Sequence, residues 1–300
     1  MKVFLTGGAG YVGSAALRWL LAHGHDALAY DDLSHGNRAA VPSDMLVVGD
    51  IRDRAQMASL LRDFGADAVM HFAALASVPD SIADPDRYYE ANVTGTKAVL
   101  DAMRDAGVKR IVFSSTAATF AFTNDMPLRE TSATIPETPY GTTKLAGERM
   151  IADYARAYGM GYTIFRYFNA CGADPGGQFG ESRRHEGHLI PLTLMVALGK
   201  REKLKIFGND YETRDGTCVR DYVHTQDLAQ AHLKALERLR PGDAQLYNLG
   251  SGTGTTVLEI LRACEKVVGK PIPHEFAPRR PGDPGTLIAT PERAIRELGW

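Results

Sequence analysis

Short apolar runs alternate with longer amphipathic stretches over roughly the first half of the chain. The runs are rich in β-branched and aromatic residues, and they predict buried β-strands at residues 2–6, 27–31, 45–48, 68–72, 110–115 and 162–167. The stretches between them predict helices at 12–23, 54–64, 88–106 and 140–158, the last with Pro139 suited to its first turn. Strands alternating with helices indicate an α/β fold with a doubly wound, parallel sheet of the Rossmann type.

The pattern changes after Asn169. Residues 171–187 are rich in glycine, proline and charge, and 207–218 form a second polar stretch. Further predicted elements are helices at 189–198, 225–238 and 257–268, and a strand at 246–249. We expect residues 1–169 to form a dinucleotide-binding domain to which 222–249 returns. Residues 170–221 and 250–300 then form a smaller C-terminal substrate lobe.

Gly7, Gly10 and Gly13 follow the first strand directly and open the first helix. Glycine permits a tight turn and the close approach of a pyrophosphate, whose charge the helix N-terminus favours. Asp31 ends the second strand, at about the twenty-residue offset expected of an acid that binds the adenosine ribose. A carboxylate there accepts from the 2′-hydroxyl and repels a 2′-phosphate, so the motif favours NAD over NADP.

Charged residues near this motif refine the cofactor prediction. Asp32 adds to the negative charge, whereas Arg38, which would suit NADP, is interpreted as a solvated surface arginine. Asp50 and Ile51 follow the third strand and are candidates to frame the adenine. A simple helix N-cap is an equal alternative for Asp50.

A tyrosine and a lysine four residues apart, Tyr140 and Lys144, share one face of a predicted helix. A nearby ammonium stabilises a phenolate, so we expect Lys144 to lower the pKa of the tyrosine. Thr116 follows Ser114 and Ser115 at the end of the fifth strand, where such sheets place reactive groups, and is a candidate proton relay. With the glycine motif, these residues predict hydride transfer at a hydroxyl group, with bound nicotinamide as the oxidant. The alternatives are a chance surface pair and hydroxyls that only satisfy the backbone.

Several other polar residues are interpreted as structural. His71 lies in a predicted strand and is expected to be buried and hydrogen-bonded, and Tyr88–Tyr89 to pack a helix. His185, Glu186 and His188 lack the HExxH spacing and a third ligand, so we expect no metal site.

The bulk composition argues against some partners. A net charge of −2 with no basic block gives no field for nucleic acid. The longest apolar stretch, 189–198, is too short to span a membrane, and the first strand leaves no room for a signal peptide. Cys171, Cys218 and Cys264 are odd in number and widely spaced, which favours reduced thiols in the cytoplasm.

Motifs along the whole chain resemble the extended short-chain dehydrogenase/reductase family, which includes the NAD-dependent epimerases and dehydratases. The resemblance runs from Met1 to Trp300 and rests on GGAGYVGS, HFAALASVPDS, NVTGT, SSTAAT, YGTTK, RYFNACGADP, HLIPL, IFGNDYETRDGTCVRDYVH, NLGSGTGTTV and RRPGD. Within that family the chain is most similar to the branch that epimerises UDP-hexoses.

The resemblance implies reversible C4 epimerisation of UDP-galactose and UDP-glucose with tightly bound NAD. In that mechanism Tyr140 takes the proton of the sugar 4-hydroxyl, directly or through Thr116, while hydride leaves C4 for NAD. The 4-keto sugar turns about its diphosphate link, and hydride returns to the other face. A homodimer formed by the helices at 88–106 and 140–158 is also implied.

The resemblance also completes the expected binding sites. The residues expected to contact NAD are Gly7, Gly10, Tyr11, Val12, Gly13, Asp31, Asp32, Asp50, Ile51, Phe72, Ala73, Ala74, Leu75, Asn92, Ser114, Lys144 and Tyr167. The residues expected to contact the UDP-sugar are Thr116, Tyr140, Asn169, Leu189, Phe207, Arg220, Tyr222, Arg280 and Asp283. Among these, Phe207 is expected at the uracil, and Arg220 and Arg280 at the diphosphate, which suits guanidinium geometry.

The chain departs from the family pattern at a few positions. Phe120–Ala121 stands where the family usually has Tyr-Gly, and His188 replaces an asparagine found in some members. Leu287 occupies the position that helps decide whether an N-acetyl group fits. Being neither bulky nor small, it leaves acceptance of N-acetylhexosamines open.

The residues after Thr116 separate some related reactions from others. A 4,6-dehydratase or a decarboxylase needs an acid directly after the strand-five hydroxyl, where this chain has Ala117 and Ala118. UDP-pentoses, UDP-uronates and UDP-N-acetylhexosamines stay open as epimerase substrates. A non-catalytic dinucleotide sensor is the alternative from a different class.

Overall fold

The computed structural model describes residues 1–122, 125–183, 186–280 and 283–300. His185 of the rejected metal motif and Pro281–Gly282 of the RRPGD motif lie outside the described residues. Among the described residues, no helix combines the length and the apolar character needed to cross a membrane.

Strands and helices alternate through the first part of the chain, as predicted. In order, they are β1 (Lys2–Thr6), α1 (Tyr11–Ala22), β2 (Asp26–Asp31), β3 (Leu46–Val48), α2 (Arg54–Phe64), β4 (Ala68–His71), α3 (Val78–Ala83), α4 (Pro85–Tyr88), α5 (Gly95–Ala106), β5 (Arg110–Thr116), α6 (Pro139–Tyr158) and β6 (Gly161–Tyr167).

Shorter elements make up most of the remainder. They are β7 (Asn169–Cys171), α7 (Leu189–Ala197), β8 (Leu204–Phe207), β9 (Val219–Arg220), β10 (Tyr222–His224), α8 (Thr225–Arg238), β11 (Ala244–Leu249), β12 (Thr255–Thr256), α9 (Val257–Val268), β13 (His274–Ala277), β14 (Thr286–Leu287) and α10 (Glu292–Leu298).

Within the described residues, seven parallel strands form one sheet in the order β11-β6-β5-β4-β1-β2-β3. The doubly wound α/β fold is therefore confirmed. β1 lies centrally, and the chain winds away from it in both directions, so a crevice opens at the carboxyl ends of β1 and β4. The sheet pattern explains why the turns after β1, β2, β4 and β5 meet at one edge.

Alternation along each strand distributes the apolar side chains to two faces. On one face, Val3 and Leu5 belong to a core that includes α1, α8 and α10. On the other, Phe4 belongs to a core with α2, α5 and α6. A third and smaller core joins α7, α9 and β8. We call the part of the chain around this third core, 172–219 and 254–280, the small lobe.

Most predicted elements have bounds within two residues of those observed, and two predictions differ more from the structure. The helix expected at 88–106 contains a π-helical segment, Tyr89–Thr94, between α4 and α5. The buried Asn92 within this segment bonds to groups outside the helix, which favours a wider local turn. The C-terminal residues, expected in the substrate lobe, instead place Ala294 and Leu298 of α10 in the core beneath α8.

One buried carboxylate joins several passages of the chain beside the small lobe. Asp221 is fully buried and lies between β9 and β10. It accepts hydrogen bonds from the backbone N–H of Ser251 (2.6 Å), Gly252 (3.2 Å) and Ala289 (3.1 Å). These bonds compensate for burial of its charge and fix β9 and β10 to the turn after β11.

Candidate active site

The glycine-rich turn after β1 is packed too tightly for any other residue. A Cβ on Gly7, whose φ is +70°, would lie 2.5 Å from the backbone nitrogen of Ala73. A Cβ on Gly13 would lie 2.1 Å from the Gly7 carbonyl oxygen. Gly10 caps α1 without a side chain, so the first-turn N–H groups of Tyr11 and Val12 face the crevice. This arrangement suits the pyrophosphate of a dinucleotide.

Asp31 lies at the end of β2 beside that turn. Its carboxylate is 6% exposed and accepts from the N–H of Ala9 (3.0 Å) and of Leu33 (2.9 Å). Burial raises the pKa of Asp31, and the two backbone bonds oppose that shift. Asp32 is exposed and accepts from Ser34, which makes it a loop-stabilising residue here.

The residues expected at the adenine have separate structural partners. Asp50 pairs with Arg52, which is the main cause of the lowered pKa of Asp50. The N-cap alternative for Asp50 is wrong, because Asp53 caps α2 by accepting from the N–H of Gln56 (2.9 Å). Ile51 lies against α5, where a Cβ on Gly95 would be 2.5 Å from it.

Tyr140 and Thr116 meet where the N-terminus of α6 contacts the end of β5. Thr138 caps the helix by accepting from the N–H of Gly141 (3.2 Å). A Cβ on Gly141 would lie only 2.1 Å from the Ala118 carbonyl oxygen, so the helix approaches the turn after Thr116 backbone to backbone. This approach brings Thr116 close to Tyr140, and the Thr116 side chain lowers the pKa of the tyrosine.

The electrostatics of Tyr140 differ from expectation. Burial raises its pKa to about 12, and the bond from Thr116 is the main opposing influence. We expected Lys144 to lower this pKa, but Arg183 is the cation whose charge does so. The physical reason is desolvation: the same burial that isolates the site penalises the phenolate.

Lys144 is also strongly affected by burial. Its side chain is 3% exposed, and its ammonium lies 4.3 Å from the ring centroid of Phe113. Burial lowers the pKa of Lys144 to about 7, while the charge of Glu148 opposes that shift. Burial therefore disfavours both the phenolate form of Tyr140 and the ammonium form of Lys144.

Asn92 ties the turn after β4 to the catalytic helix. Its side chain accepts from the N–H of Leu75 (2.8 Å) and donates to the carbonyl of Leu75 (3.1 Å). It also donates to the Thr143 hydroxyl (3.0 Å) on α6. Asn92 thus positions residues 73–75 at the crevice.

Phe72 and Ser114 contact other residues of the fold. The Phe72 ring packs on His232, 4.8 Å between ring centroids, so it is directed into the core of α8. The Ser114 hydroxyl bonds with that of Tyr167 on the neighbouring strand. His71 is fully buried between Thr6 (2.6 Å) and Thr96 (3.0 Å), in agreement with its structural interpretation.

Tyr88 has a role that sequence reasoning understated. It packs edge-on against Tyr140, with 6.4 Å between ring centroids, and is 3% exposed. Its hydroxyl accepts from the N–H of Ser77 (3.0 Å). Tyr88 is a packing residue, but it packs the catalytic ring; no spacing in the sequence links these distant tyrosines.

The residues expected to bind a UDP-sugar form smaller groups. The Arg280 guanidinium stacks on the Phe207 ring at 4.1 Å from its centroid. Arg220 forms an ion pair with Asp283. Tyr222 lies opposite Asn169 in the paired strands β10 and β7, and burial raises its pKa.

Leu189 begins α7 and contacts the small-lobe core.

The segment 172–183 lies against the glycine-rich helix, which the sequence did not predict. The Tyr11 hydroxyl donates to the Gly172 carbonyl, and the Arg18 guanidinium stacks on Phe179 at 3.9 Å. This packing accompanies a position of Arg183 at which its charge lowers the pKa of Tyr140.

The same segment brings a second acid, Glu181, to the histidine motif. The possible ligand atoms of three residues, Glu181, Glu186 and His188, lie within 4.8 Å of one another. The sequence motif included only Glu186 and His188 of these three. Glu181 is already paired with His188 (2.6 Å) and with Arg183 (2.8 Å). Arg183 compensates the charge of Glu181, so these contacts explain the cluster without a bound ion.

The fold and site together define a Rossmann-type enzyme in which a dinucleotide crevice faces a tyrosine–lysine helix. The NAD dependent epimerase/dehydratase family matches residues 3–250, and the chain belongs to that family. The resemblance inferred from the motifs is therefore confirmed.

Individual relatives match over the whole chain. It is 50% identical to the UDP-glucose 4-epimerase of Corynebacterium glutamicum over 301 aligned positions, which cover 100% of this chain and 90% of the relative. A crystal structure of UDP-glucose 4-epimerase from Brucella ovis in complex with NAD is 44% identical, with a TM-score of 0.96 over 100% of this chain and 92% of that one. The Bifidobacterium longum enzyme in complex with NAD+ and UDP is 36% identical, with a TM-score of 0.95 over 100% and 93% of the two chains.

Substitution at Gly13 tests the dinucleotide crevice. We expect Gly13→Ala to reduce the NAD retained by the purified protein, because the added Cβ would push into the Gly7 carbonyl. The measurement is nucleotide released on acid denaturation, per mole of protein.

Gly24→Ala is the matched control. Gly24 has a positive φ (+77°), which Gly13 does not, but a Cβ there would meet nothing within 4 Å. It should cost about 1 kcal/mol of stability and leave the NAD content unchanged. Equal loss of NAD in both variants would contradict a specific role for the turn.

Proposed function

We propose that this protein catalyses the reversible epimerisation of a UDP-hexose at C4, interconverting UDP-galactose and UDP-glucose with tightly bound NAD. The observation that carries the proposal is the position of Tyr140 in the first turn of α6, which contacts the turn after Thr116, with the buried Lys144 one helical turn further along. The relatives named above support the choice of substrate and cofactor.

The residues of the crevice fit a bound NAD. The packed turn around Gly7 and Gly13 leaves room for phosphates, and Asp31 presents a carboxylate to a ribose. Bound NAD supplies a hydride acceptor at C4 that returns the hydride after the sugar has turned. Lys144 is placed to hold the nicotinamide ribose and to supply positive charge beside Tyr140.

Proton movement belongs to the two hydroxyl side chains. Tyr140, as phenolate, takes the proton of the sugar 4-hydroxyl, and Thr116 provides a second path through its own hydroxyl. Thr116 also accepts from the N–H of Ala118 (3.2 Å), which fixes its rotamer. When the keto sugar is reduced, the same tyrosine returns the proton, so no net acid or base is consumed.

Turning of the intermediate requires that one end of the substrate stays bound. We assign this anchoring to Phe207, Arg220 and Arg280, which lie on or beside the small lobe. In this proposal a diphosphate competes with Asp283 for Arg220, and the uracil lies along Phe207. Binding energy from the nucleotide then retains the keto sugar while its ring moves.

A UDP-uronate is the second candidate substrate. A uronate needs a cation near the sugar C5, and Arg183 is close enough to Tyr140 for its charge to lower the pKa of that residue. Arg183 is already paired with Glu181 (2.8 Å), which weakens the case. Leu287, opposite Arg220 in the β14–β9 pair, keeps N-acetylhexosamine substrates open, and UDP-pentoses stay open because they need the same catalytic groups.

The helices α5 and α6 and the cysteines bear on the oligomeric state of the protein and on its location in the cell. We infer a homodimer through α5 and α6, supported by the exposed aromatic side chains of Tyr89 and Tyr158 at the ends of this helical layer. We infer a cytoplasmic location from the cysteines, which are unpaired throughout the described residues. Light scattering of the purified protein tests the first of these.

Turnover of UDP-galactose is the direct test. Purified protein with no added NAD should convert UDP-galactose to UDP-glucose, measured by separating the nucleotide sugars. Tyr140→Phe should lower kcat by about 10²-fold or more, since it removes the proton acceptor. Its NAD content should match wild type, because the ring remains packed on Tyr88.

Conversion of UDP-pentoses or UDP-uronates in place of UDP-galactose would reassign the sugar. Full activity of Tyr140→Phe would contradict the mechanism. Bound NAD without turnover of any UDP-sugar would instead favour a dinucleotide sensor.

The pH dependence of kcat follows from the two buried groups. The productive state, phenolate plus ammonium, holds one proton fewer than the fully protonated pair. Burial lowers the pKa of Lys144 to about 7 and raises the pKa of Tyr140 to about 12. The pair therefore loses its first proton close to neutral pH. We therefore expect kcat to rise with pH through about 7 and then to level off.

Lys144→Met provides the contrast. Without the lysine, activity depends on ionisation of Tyr140 alone, whose pKa burial raises to about 12. Its kcat should be low and should climb continuously with pH, with no plateau in the measurable range. We call the low-pH part of the profile, where kcat rises with pH, the acid limb. A plateau unchanged from wild type would show that Lys144 does not set this limb.

A further inference from the structure

Glu148 is a buried carboxylate that the mechanism above does not use. It lies on α6, one helical turn after Lys144, and is 5% exposed. Arg166 of β6, also 5% exposed, donates to both carboxylate oxygens, at 2.9 and 2.6 Å. The Ser115 hydroxyl of β5 donates to the same carboxylate at 2.5 Å. One carboxylate thus joins the catalytic helix to two strands of the sheet.

The two hydrogen-bond partners of Glu148 are each next in sequence to a residue of the site. Ser115 immediately precedes Thr116, and Arg166 immediately precedes Tyr167. The three bonds therefore fix α6 against the strand ends that carry the proton relay. A displacement of about 1 Å in such a pair can cost about 100-fold in rate.

Burial of this ion pair needs an explanation beyond stability. Replacing a buried ion pair by apolar residues is often neutral or stabilising. Here Arg166 also leaves Nη1 without a partner among the described residues, with the Phe120 ring 4.8 Å from its guanidinium carbon. An arrangement that leaves a guanidinium nitrogen unsatisfied is a poor choice for stability alone.

We propose that Glu148 is a positioning residue that holds Lys144 as an ammonium, so that Tyr140 is populated as phenolate. This inference rests on the proposed function. Above the first ionisation, phenolate–ammonium and phenol–amine are two forms with the same number of protons. A negative charge beside Lys144 selects the first form, and Glu148 is the carboxylate whose charge raises the pKa of Lys144.

Other ionisable groups around the catalytic pair do not replace Glu148. From the elements packed there, they are Tyr88 of α4, His71 of β4, Arg166 and Tyr167 of β6, and Arg183. Burial lowers the pKa of His71 to about 3, so it is neutral near pH 7. Burial raises the pKa values of Tyr88 and Tyr167, which keeps both phenols neutral. The arginines are cations and cannot favour an ammonium.

The test compares Glu148→Gln with the double variant Glu148→Gln/Arg166→Met. The single variant leaves Arg166 buried without its counter-charge and is expected to be destabilised. The double variant removes both charges, so it remains folded if the single variant does not. For each, kcat and KM for UDP-galactose are measured across pH, together with NAD content and melting temperature.

We expect the plateau of kcat to fall about tenfold for each unit lost from the pKa of Lys144, with KM and NAD content close to wild type. The acid limb should move to lower pH. At the acid end the profiles should converge, because activity there depends only on forming the phenolate. This convergence is a signature that mere destabilisation does not produce.

Leu61→Ala is the control for destabilisation. Leu61 is 2% exposed in the core beneath α2, and its truncation should lower the melting temperature without moving the acid limb. A wild-type plateau and limb in the folded double variant would overturn the proposal. So would a loss of equal size at every pH. If wild-type protein retains NAD but turns over no UDP-sugar, the proposed function fails first, independently of Glu148.

Discussion

The site depends on backbone approaching backbone without side chains between. The turn after β1 touches the turn after β4 at Gly7, and α6 touches the turn after β5 at Gly141. Both contacts lie at the carboxyl edge of the sheet, where parallel strand register has already aligned the chain ends. The first contact shapes the dinucleotide crevice and the second brings Tyr140 to Thr116. Because a single methyl group would separate either pair, the chemistry is limited by main-chain geometry before any charged group is considered.

Desolvation is the second constraint. The environment that excludes water from the reacting hydroxyl also penalises both charged forms that catalysis needs, and it moves the pKa values of Tyr140 and Lys144 in opposite directions. Nearby groups offset this penalty only in part: a hydroxyl at Thr116, a distant cation at Arg183 and a carboxylate at Glu148. Several weak influences therefore offset the effect of burial on the pKa values of Tyr140 and Lys144, and none of these three groups dominates.

The sequence predicted much of this architecture because its signals are local. The helices at 54–64, 225–238 and 257–268 have the predicted bounds, and the strand-to-glycine-to-helix order placed the crevice correctly. The two- to four-residue strands of the small lobe were missed, because so short a run shows no periodicity. The packing of Tyr88 on Tyr140 and of Glu181 on His188 joins residues whose proximity depends on tertiary structure. The pKa of Tyr140 was misjudged for a similar reason: spacing reveals a neighbouring charge but not the water that burial removes.

Asp221 has a consequence for how such a protein can change. The chain enters the small lobe twice, at 172–219 and 254–280, and Asp221 bonds beside it to residues 251, 252 and 289. The small lobe is therefore assembled from separate stretches and has no single pair of ends at which it could be exchanged. A new sugar preference cannot be acquired by replacing this lobe as a cassette. It must arise by substitutions in place, each compatible with a carboxylate that has no room to move.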